Sequence, residues 1–249
     1  MLSNIICILS NEARAYLRNH AAIFWTFAYP LILFFVLISI FGGDNNDDYL
    51  QFLIVGLAAL TVVSTALFGF SSVLVEMRST GALKMLQIFP ITRFEFLVAF
   101  TLSRVLILTV FCLMFIYILA SGYGLQLPIG TRAVLSVAAM ILLGSIAFMA
   151  VGLIIAGVIT KPPTATAIIN LINLPVIFLS DLFIPVSIMP ATVQAIATIS
   201  PVYVFVNDLR SIATGAGSLI DHCDTLTYLL GLSVICLFVA VSIFKWKVE

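Results

Sequence analysis

Residues 21–41 read AAIFWTFAYPLILFFVLISIF, an uncharged run that ends at a pair of glycines and an acidic loop. Its length matches the roughly 20 residues that an α-helix needs to cross the hydrocarbon core of a bilayer. The whole chain has the same character, because 63% of its 249 residues are hydrophobic and only 9% are charged. Soluble domains carry roughly a quarter charged residues. The sequence therefore predicts an integral membrane protein, and its zero net charge gives no general attraction to nucleic acid.

Further apolar runs follow the first, and together they predict an all-α membrane protein with about six transmembrane helices. An amphipathic segment before the first span is predicted to lie on the cytoplasmic membrane surface. A proline-interrupted apolar segment after the fifth span is predicted to form a re-entrant helical hairpin at the outer leaflet. The predicted bounds within a single transmembrane domain (1–249) are 4–20 for the interfacial helix, 21–41, 50–75, 96–120, 133–159, 164–183 and 226–244 for the spans, and 185–206 for the re-entrant segment.

The distribution of basic residues predicts the orientation of the chain. Lysine and arginine concentrate in loops on the cytoplasmic side of a membrane. With the predicted spans, most basic residues share one side, and only Arg132 and Arg210 fall on the other. A further crossing over 185–206 would carry Lys245 and Lys247 outward. We therefore expect a multi-pass protein of the plasma or inner membrane with both termini in the cytoplasm.

The sequence lacks the motifs of an enzyme that acts alone. It contains no GxxxxGK[ST] loop, so nucleotide hydrolysis by that route is excluded, and it contains neither GxSxG nor HExxH. His20 and His222 are predicted on opposite sides of the membrane, and the four cysteines form no CxxC pair. We expect no metal site and no directly bound cofactor. The predicted spans hold almost no ionisable residue apart from Arg104, which weakens the hypothesis of a channel or secondary transporter.

The polar stretch 76–95 carries the clearest mechanistic signal. It lies on the cytoplasmic side by the charge rule, and its leucines predict a short helix with one apolar side. Such a helix between two spans could bind a soluble partner or form an ordinary interfacial loop, and the residues alone leave both open. The stretch fits the pattern E-x-R-x-x-G-x-L-x-x-L-x-x-x-P-x-x-R at Glu76, Arg78, Gly81, Leu83, Leu86, Pro90 and Arg93.

This pattern resembles the motif after the second span in permeases of type-2 ATP-binding-cassette (ABC-2) exporters. A later stretch is similar to the drug-export branch of that family, with Phe183-Ile184-Pro185, Met189-Pro190, Ser200-Pro201 and Asn207-Asp208-Leu209-Arg210. The chain departs from the family at Asp181, where a small residue, commonly glycine, is expected. This departure puts the packing of the outer hairpin in question or indicates a polar contact there.

The resemblance implies a permease subunit for ATP-driven export, of the multidrug efflux type, without ATPase activity of its own. It implies a second permease chain, in a homodimer or heterodimer, and separate cytoplasmic ATPase subunits that bind ATP and Mg²⁺. A coupling helix over about 78–89 would contact the ATPase, with Glu76, Arg78 and Arg93 held by ion pairs, and the interfacial helix would be a second contact. Closure of the ATPases would then drive alternating access. Positive-inside anchoring is the alternative role of these charges.

Two polar stripes at helical spacing mark a candidate path for the transported molecule. They comprise Thr61, Ser64, Thr65 and Phe68 in the second predicted span, and Asn170 and Asn173 in the fifth. Small polar side chains at depth often join helices instead, so packing is the alternative. An uncharged path suits a hydrophobic or amphipathic small molecule or a lipid. A polysaccharide or glycolipid exporter of the same family, a non-ABC channel and a membrane scaffold remain alternative hypotheses.

Overall fold

The computed structural model describes residues 2–41, 47–86, 92–125, 127–128, 130–178, 180–182 and 185–243. Every regular element within these ranges is helical, which confirms the all-α prediction. A single 3-10 turn, Val186–Ile188, lies between the seventh and eighth helices of that described part. The helices are α1 (Leu2–Arg18), α2 (His20–Phe41), α3 (Asp47–Ser79), α4 (Ala82–Leu86), α5 (Arg93–Gly122), α6 (Thr131–Val158), α7 (Pro162–Phe178), α8 (Ala191–Ala197), α9 (Pro201–Thr214) and α10 (Cys223–Ile243).

Five of the described helices, α2, α3, α5, α6 and α10, are long and apolar enough to cross a membrane. Each matches one predicted span. The remaining predicted span, 164–183, corresponds to α7, which has 17 residues and is therefore roughly 25 Å long. It ends at Phe178, before the predicted end, and the backbone at Asp181 has a positive φ of 56°. A right-handed helix cannot continue through that conformation.

Two of the long helices contain a π-helical turn. These turns are Phe24–Ala28 near the start of α2 and Thr65–Phe70 within α3. Such turns insert an extra residue into the helix and often occur at functional sites. The turn in α3 begins among the polar residues that the sequence marks as a candidate path, whereas α6 is a regular helix throughout.

The helix α6 lies at the centre of the bundle, where it packs against α3, α5, α9 and α10. Its glycines allow close approach of the neighbouring helices. A Cβ atom at Gly152 would lie 2.6 Å from the Ala66 carbonyl oxygen of α3. A side chain at Gly144 would overlap the ring of Phe205 in α9. Because Gly144 is near the midpoint of α6, the short helix α9 reaches deep into the bundle.

The two N-terminal spans differ in how much of their surface the chain itself covers. In the most apolar 18-residue window of α3, 72% of residues are buried, but only 17% are buried in that of α2. Large apolar side chains of α2, among them Trp25, Ile32 and Phe35, are exposed. The surface of α2 must therefore be covered by lipid or by another chain.

The N-terminal helix α1 packs against α5 through a buried polar contact. The Arg104 guanidinium of α5 lies 4.1 Å above the Tyr16 ring and 3.9 Å from the Glu12 carboxylate. Tyr16 also shares a hydrogen bond with Thr26 of α2. Burial raises the pKa of the Glu12 carboxyl above its ordinary value, an effect that the nearby Arg104 charge opposes. Arg104 thus turns toward α1, so that three helices meet at one point.

Candidate functional site

The helix α3 ends at a tight turn that separates it from the short helix α4. Gly81 adopts a φ of +79°, a left-handed conformation that residues with a side chain avoid. Thr80 and Gly81 close the turn by donating their backbone N–H groups to the Glu76 and Arg78 carbonyls. The prediction of one coupling helix over 78–89 is therefore wrong at its start, because Arg78 belongs to α3 and the next helix begins at Ala82.

Arg78 is buried and caps the end of α6. Its Nη1 donates to the Gly157 carbonyl oxygen at 3.1 Å, and its Nη2 donates to the Ile159 carbonyl oxygen at 2.9 Å. The last carbonyls of a helix have no intrahelical donor, and a cation is favourable at this end of the helix dipole. The predicted ion pair of Arg78 is therefore wrong, since the structure gives it backbone carbonyls as partners.

The other residues of the matched pattern have separate environments. Leu83 is buried, whereas Glu76 is exposed, and its carboxylate has no ion pair within the described part of the chain. Leu86 lies in α4 and Arg93 lies in α5, and the structure describes the backbone of these two residues but not their side chains. Pro90 lies outside the described residues. The structure thus brings Arg78 and Leu83 to the two sides of the turn at Gly81.

The chain returns to the membrane through a capped helix start that sequence reasoning missed. The Thr92 Oγ1 accepts the Glu95 backbone N–H at 3.2 Å, and Glu95 Oε2 accepts the Thr92 backbone N–H at 2.9 Å. This reciprocal pair is a capping box, which satisfies two N–H groups that the helix leaves open. The signal was present in the sequence as T-x-x-E before an apolar run. It fixes where α5 begins.

The candidate path residues of α3 lie on and just before its π-helical turn. Thr61 is buried and donates to the Leu57 carbonyl oxygen at 2.8 Å, so its hydroxyl is satisfied within its own helix. Ser64, Thr65 and Phe68 are only partly buried. The helix α7 packs against this turn.

The two asparagines of α7 have different environments. Asn173 is 7% exposed, and its Oδ1 has no hydrogen-bond partner among the described residues. Asn170 is exposed. The two amides, three residues apart on one helix, therefore differ in how far the bundle covers them. An unpaired amide oxygen inside a bundle is costly, so Asn173 is the more informative of the two.

A second polar cluster lies at the other end of the bundle and gives Asp181 a partner. Its carboxylate forms an ion pair with Arg210 of α9 and accepts the Val186 backbone N–H at 2.6 Å. Arg210 also donates to the Asp181 carbonyl oxygen at 2.8 Å and lies 3.9 Å above the Phe52 ring of α3. The departure from the family pattern at Asp181 is thus a polar contact that ties the chain after α7 to α9 and α3.

An open cavity of about 310 Å³ adjoins this cluster between α3 and α9, lined by Asp48, Gln51, Phe52, Asn207, Arg210, Ser211 and Thr214. Beside it, the His222 imidazole links α9 to the start of α10. Its Nδ1 lies 3.2 Å from an Asp208 carboxylate oxygen, and its Nε2 lies 3.1 Å from the Ser211 Oγ. Sequence reasoning missed these contacts, because the partners belong to separate segments.

These features define a multi-pass, all-helical membrane protein in which a tight turn at Gly81 and the short helix α4 follow the long span α3. A family model described as ABC-2 type transporter matches residues 3–213. The chain belongs to the ABC-2 type transporter family, whose members are transmembrane permease domains that work with an ATPase subunit and have no ATPase activity of their own. No curated protein matches the chain at a significant level.

Proposed function

We propose that the chain is the transmembrane subunit of an ATP-driven exporter, with ATP and Mg²⁺ bound by a separate cytoplasmic ATPase. The observation that carries this proposal is the turn at Gly81, which is tied to the end of α6 by Arg78 in a chain of the ABC-2 type transporter family. Because the turn is anchored to two spans, a soluble partner that displaces it would also displace those spans. The segment from 82 onward would be the coupling segment, and α1 would be a second contact for the ATPase.

A second permease chain would complete the transport path. The exposed apolar surface of α2 and the exposed side of α7, which carries Leu171 beside the amide of Asn170, support this proposal. An amide that faces lipid without a partner is unfavourable, whereas a paired chain can cover it. We propose a homodimer, with a heterodimer of related chains as the alternative, in a plasma or inner membrane with both termini in the cytoplasm.

The cargo that best suits the path is a hydrophobic or amphipathic small molecule or a lipid. Ser64, Thr65 and Phe68 are partly exposed at the π-helical turn, and Asn173 lies in the neighbouring helix. These groups offer hydrogen bonds and apolar contact without charge. The helix α7 would complete the sixth crossing together with the chain that follows it, and α9 would be re-entrant from the outer side.

Co-purification with the ATPase tests the proposed function. The permease is co-expressed with the candidate ATPase encoded beside it, purified in nanodiscs, and assayed for co-elution and ATP hydrolysis. We expect a stable complex whose ATPase rate depends on the permease. A permease that elutes alone would contradict the proposal.

A pair of glycine variants locates the ATPase contact. Gly81 and Gly124 both have a positive φ, 79° and 70°, and a Cβ atom at either would meet nothing within 4 Å. Alanine therefore imposes the same backbone strain of roughly 1 kcal/mol at both positions. Gly81→Ala is expected to weaken co-elution or uncouple ATP hydrolysis, and Gly124→Ala, outside the proposed contact, is expected to leave both unchanged. Equal effects from the two variants would show that the ATPase does not bind at this turn.

A further inference from the structure

The cytoplasmic halves of α3 and α6 are joined at two levels. The lower link is the guanidinium of Arg78, which binds two carbonyls at the end of α6. The upper link is Ser71, whose Oγ donates to the Gly152 carbonyl oxygen at 3.0 Å. Ser71 and Arg78 are about two helical turns apart, on one side of α3. Two links along one side prevent these halves from sliding past each other.

The two linked helices differ above the upper link. The π-helical turn Thr65–Phe70 interrupts α3 directly before Ser71, whereas α6 is a regular helix from Thr131 to Val158. A displacement that enters at Gly81 therefore meets a local irregularity if it continues along α3. A continuous hydrogen-bonded helix is available only if the displacement first passes to α6.

The helix α6 also contacts α9, one of the two helices that line the open cavity. Its Gly144 touches the Phe205 ring of α9, and α10 packs along α6. The same helix α9 carries Arg210, which is tied to Asp181 and Phe52. A rigid movement of α6 would therefore displace α9 and the groups bound to Arg210 at the far end of the bundle.

We propose that Arg78 is a positioning residue that passes the displacement of the turn at Gly81 from α3 to α6, so that α6 and α9 move together when the ATPase moves. This inference rests on the proposed function, because an ATPase must displace the turn. A guanidinium that only caps α6 would stabilise the fold without joining the two ends of the molecule. The two roles predict different behaviour at the two ends.

The test reports on both ends of the permease within its complex with the ATPase. The native cysteines are replaced by alanine, and a single cysteine carries an environment-sensitive fluorophore. One label replaces Met85, just after the turn, and the other replaces Ile220, after α9. These side chains are 70% and 68% exposed, so labels there lie outside the packed core of the permease, and the label at 85 reports on the proposed ATPase contact itself. The signal is the fluorescence change on addition of ATP and vanadate to the complex in nanodiscs.

The deciding variant is Arg78→Lys, because an ammonium keeps the positive charge but lacks the planar fork that spans two carbonyls. We expect the label at 85 to keep its response and the label at 220 to lose half of its response or more. Ser71→Ala, which removes only the upper link, should reduce the response at 220 by a smaller fraction. The matched control is Arg132→Gln, an exposed arginine at the opposite end of α6, which should keep both responses.

Two results would overturn the inference. The first is a response at 220 in Arg78→Lys that matches the unchanged permease. The second is a parallel fall of both responses together with the melting temperature, which is the behaviour of a cap that only stabilises α6. If the unchanged permease does not co-elute with the ATPase, and neither label responds in any variant, the proposed function fails as well. The two failures are therefore distinguishable.

Discussion

At the residue scale, the Asp181–Arg210 contact shows how a charged residue at a position where the family pattern expects a small one is stabilised by an ion pair. Asp181 is 8% exposed and adopts a φ of 56°, where glycine is the least strained residue. The strain is offset by an ion pair with Arg210 and by the hydrogen bond from Val186. A buried pair of this kind loses most when only one partner is removed, because the other charge then stays buried without compensation.

We expect Arg210→Met to lower the free energy of unfolding by roughly 3 kcal/mol, since Asp181 keeps a buried charge and a strained backbone. The double variant Asp181→Gly/Arg210→Met should recover a large part of that loss, because no charge remains and glycine accepts the positive φ. Thermal unfolding in detergent measures both.

The control for this pair is Arg132→Met, which removes an exposed arginine of α6 and should leave the melting temperature nearly unchanged. A double variant that is no more stable than Arg210→Met would show that the unpaired Asp181 charge is not the cause of the loss.

At the scale of elements, the approach of α3 to α6 depends on the absence of a side chain at one position. A Cβ atom at Gly152 would lie 2.6 Å from both the Ala66 carbonyl oxygen and the Ser71 Oγ. Gly152→Ala should therefore destabilise the protein by roughly 1–3 kcal/mol, because the helices must separate. The matched variant is Gly231→Ala in α10, where a Cβ atom meets nothing within 4 Å.

Gly231→Ala should be neutral or slightly stabilising, since alanine favours helix by up to about 1 kcal/mol. Melting temperatures of the two variants, compared in the same detergent, check the prediction. Equal destabilisation by the two variants would contradict the close approach at Gly152.

The contact of α1 with α5 makes a second prediction at this scale. Burial raises the pKa of Glu12 despite the nearby Arg104, so the fold favours the protonated carboxyl. The resulting stability is present in acid and is lost as pH rises through the raised pKa. Glu12→Gln should therefore be near neutral in acid and should be more stable than the unchanged protein at pH values above the ordinary carboxyl pKa, because the amide stays uncharged.

Tyr16→Ala serves as the comparison, because it removes the ring beneath Arg104 and should destabilise by roughly 3 kcal/mol. Unfolding measured over the pH range separates the two effects. A large loss from Glu12→Gln at neutral pH would instead show that attraction to Arg104 outweighs burial of the carboxylate.

At the scale of the whole molecule, two exposed helical surfaces differ in their chemistry. The exposed side of α10 carries large apolar side chains, among them Tyr228, Val234 and Phe238, and suits lipid. The exposed side of α7 combines Leu171 with the amide of Asn170. We therefore expect a second permease chain to cover α7 and lipid to cover α10.

Cysteine cross-linking in membranes tests this expectation on a background without native cysteines. Leu171→Cys should give a disulfide-linked dimer, whereas Phe238→Cys should not, although the two side chains are equally exposed at 75% and 76%. Cross-linking through Phe238→Cys alone would show that the interface between the two permease chains lies on α10 and not on α7. Absence of a dimer with both variants would argue against a chain pair through α7.

The sequence by itself determined the membrane class, five long spans and the polar turn, because these depend on local composition, run length and spacing. Apolar runs of sufficient length can satisfy their backbone in lipid only as helices. Gly81 and the Thr92–Glu95 capping box are also local signals, since each acts within one turn of chain.

Only the tertiary structure decided the partners of Arg78, Arg104 and Asp181. Each binds a group distant in sequence, on α6, on α1 and on α9 respectively. The sequence marks these residues as costly to bury without a partner but does not state which distant group satisfies them. The different burial of Asn170 and Asn173 was also decided at this level, because helical spacing places the two residues on nearby sides of α7, while the neighbouring helices decide how much of each is covered.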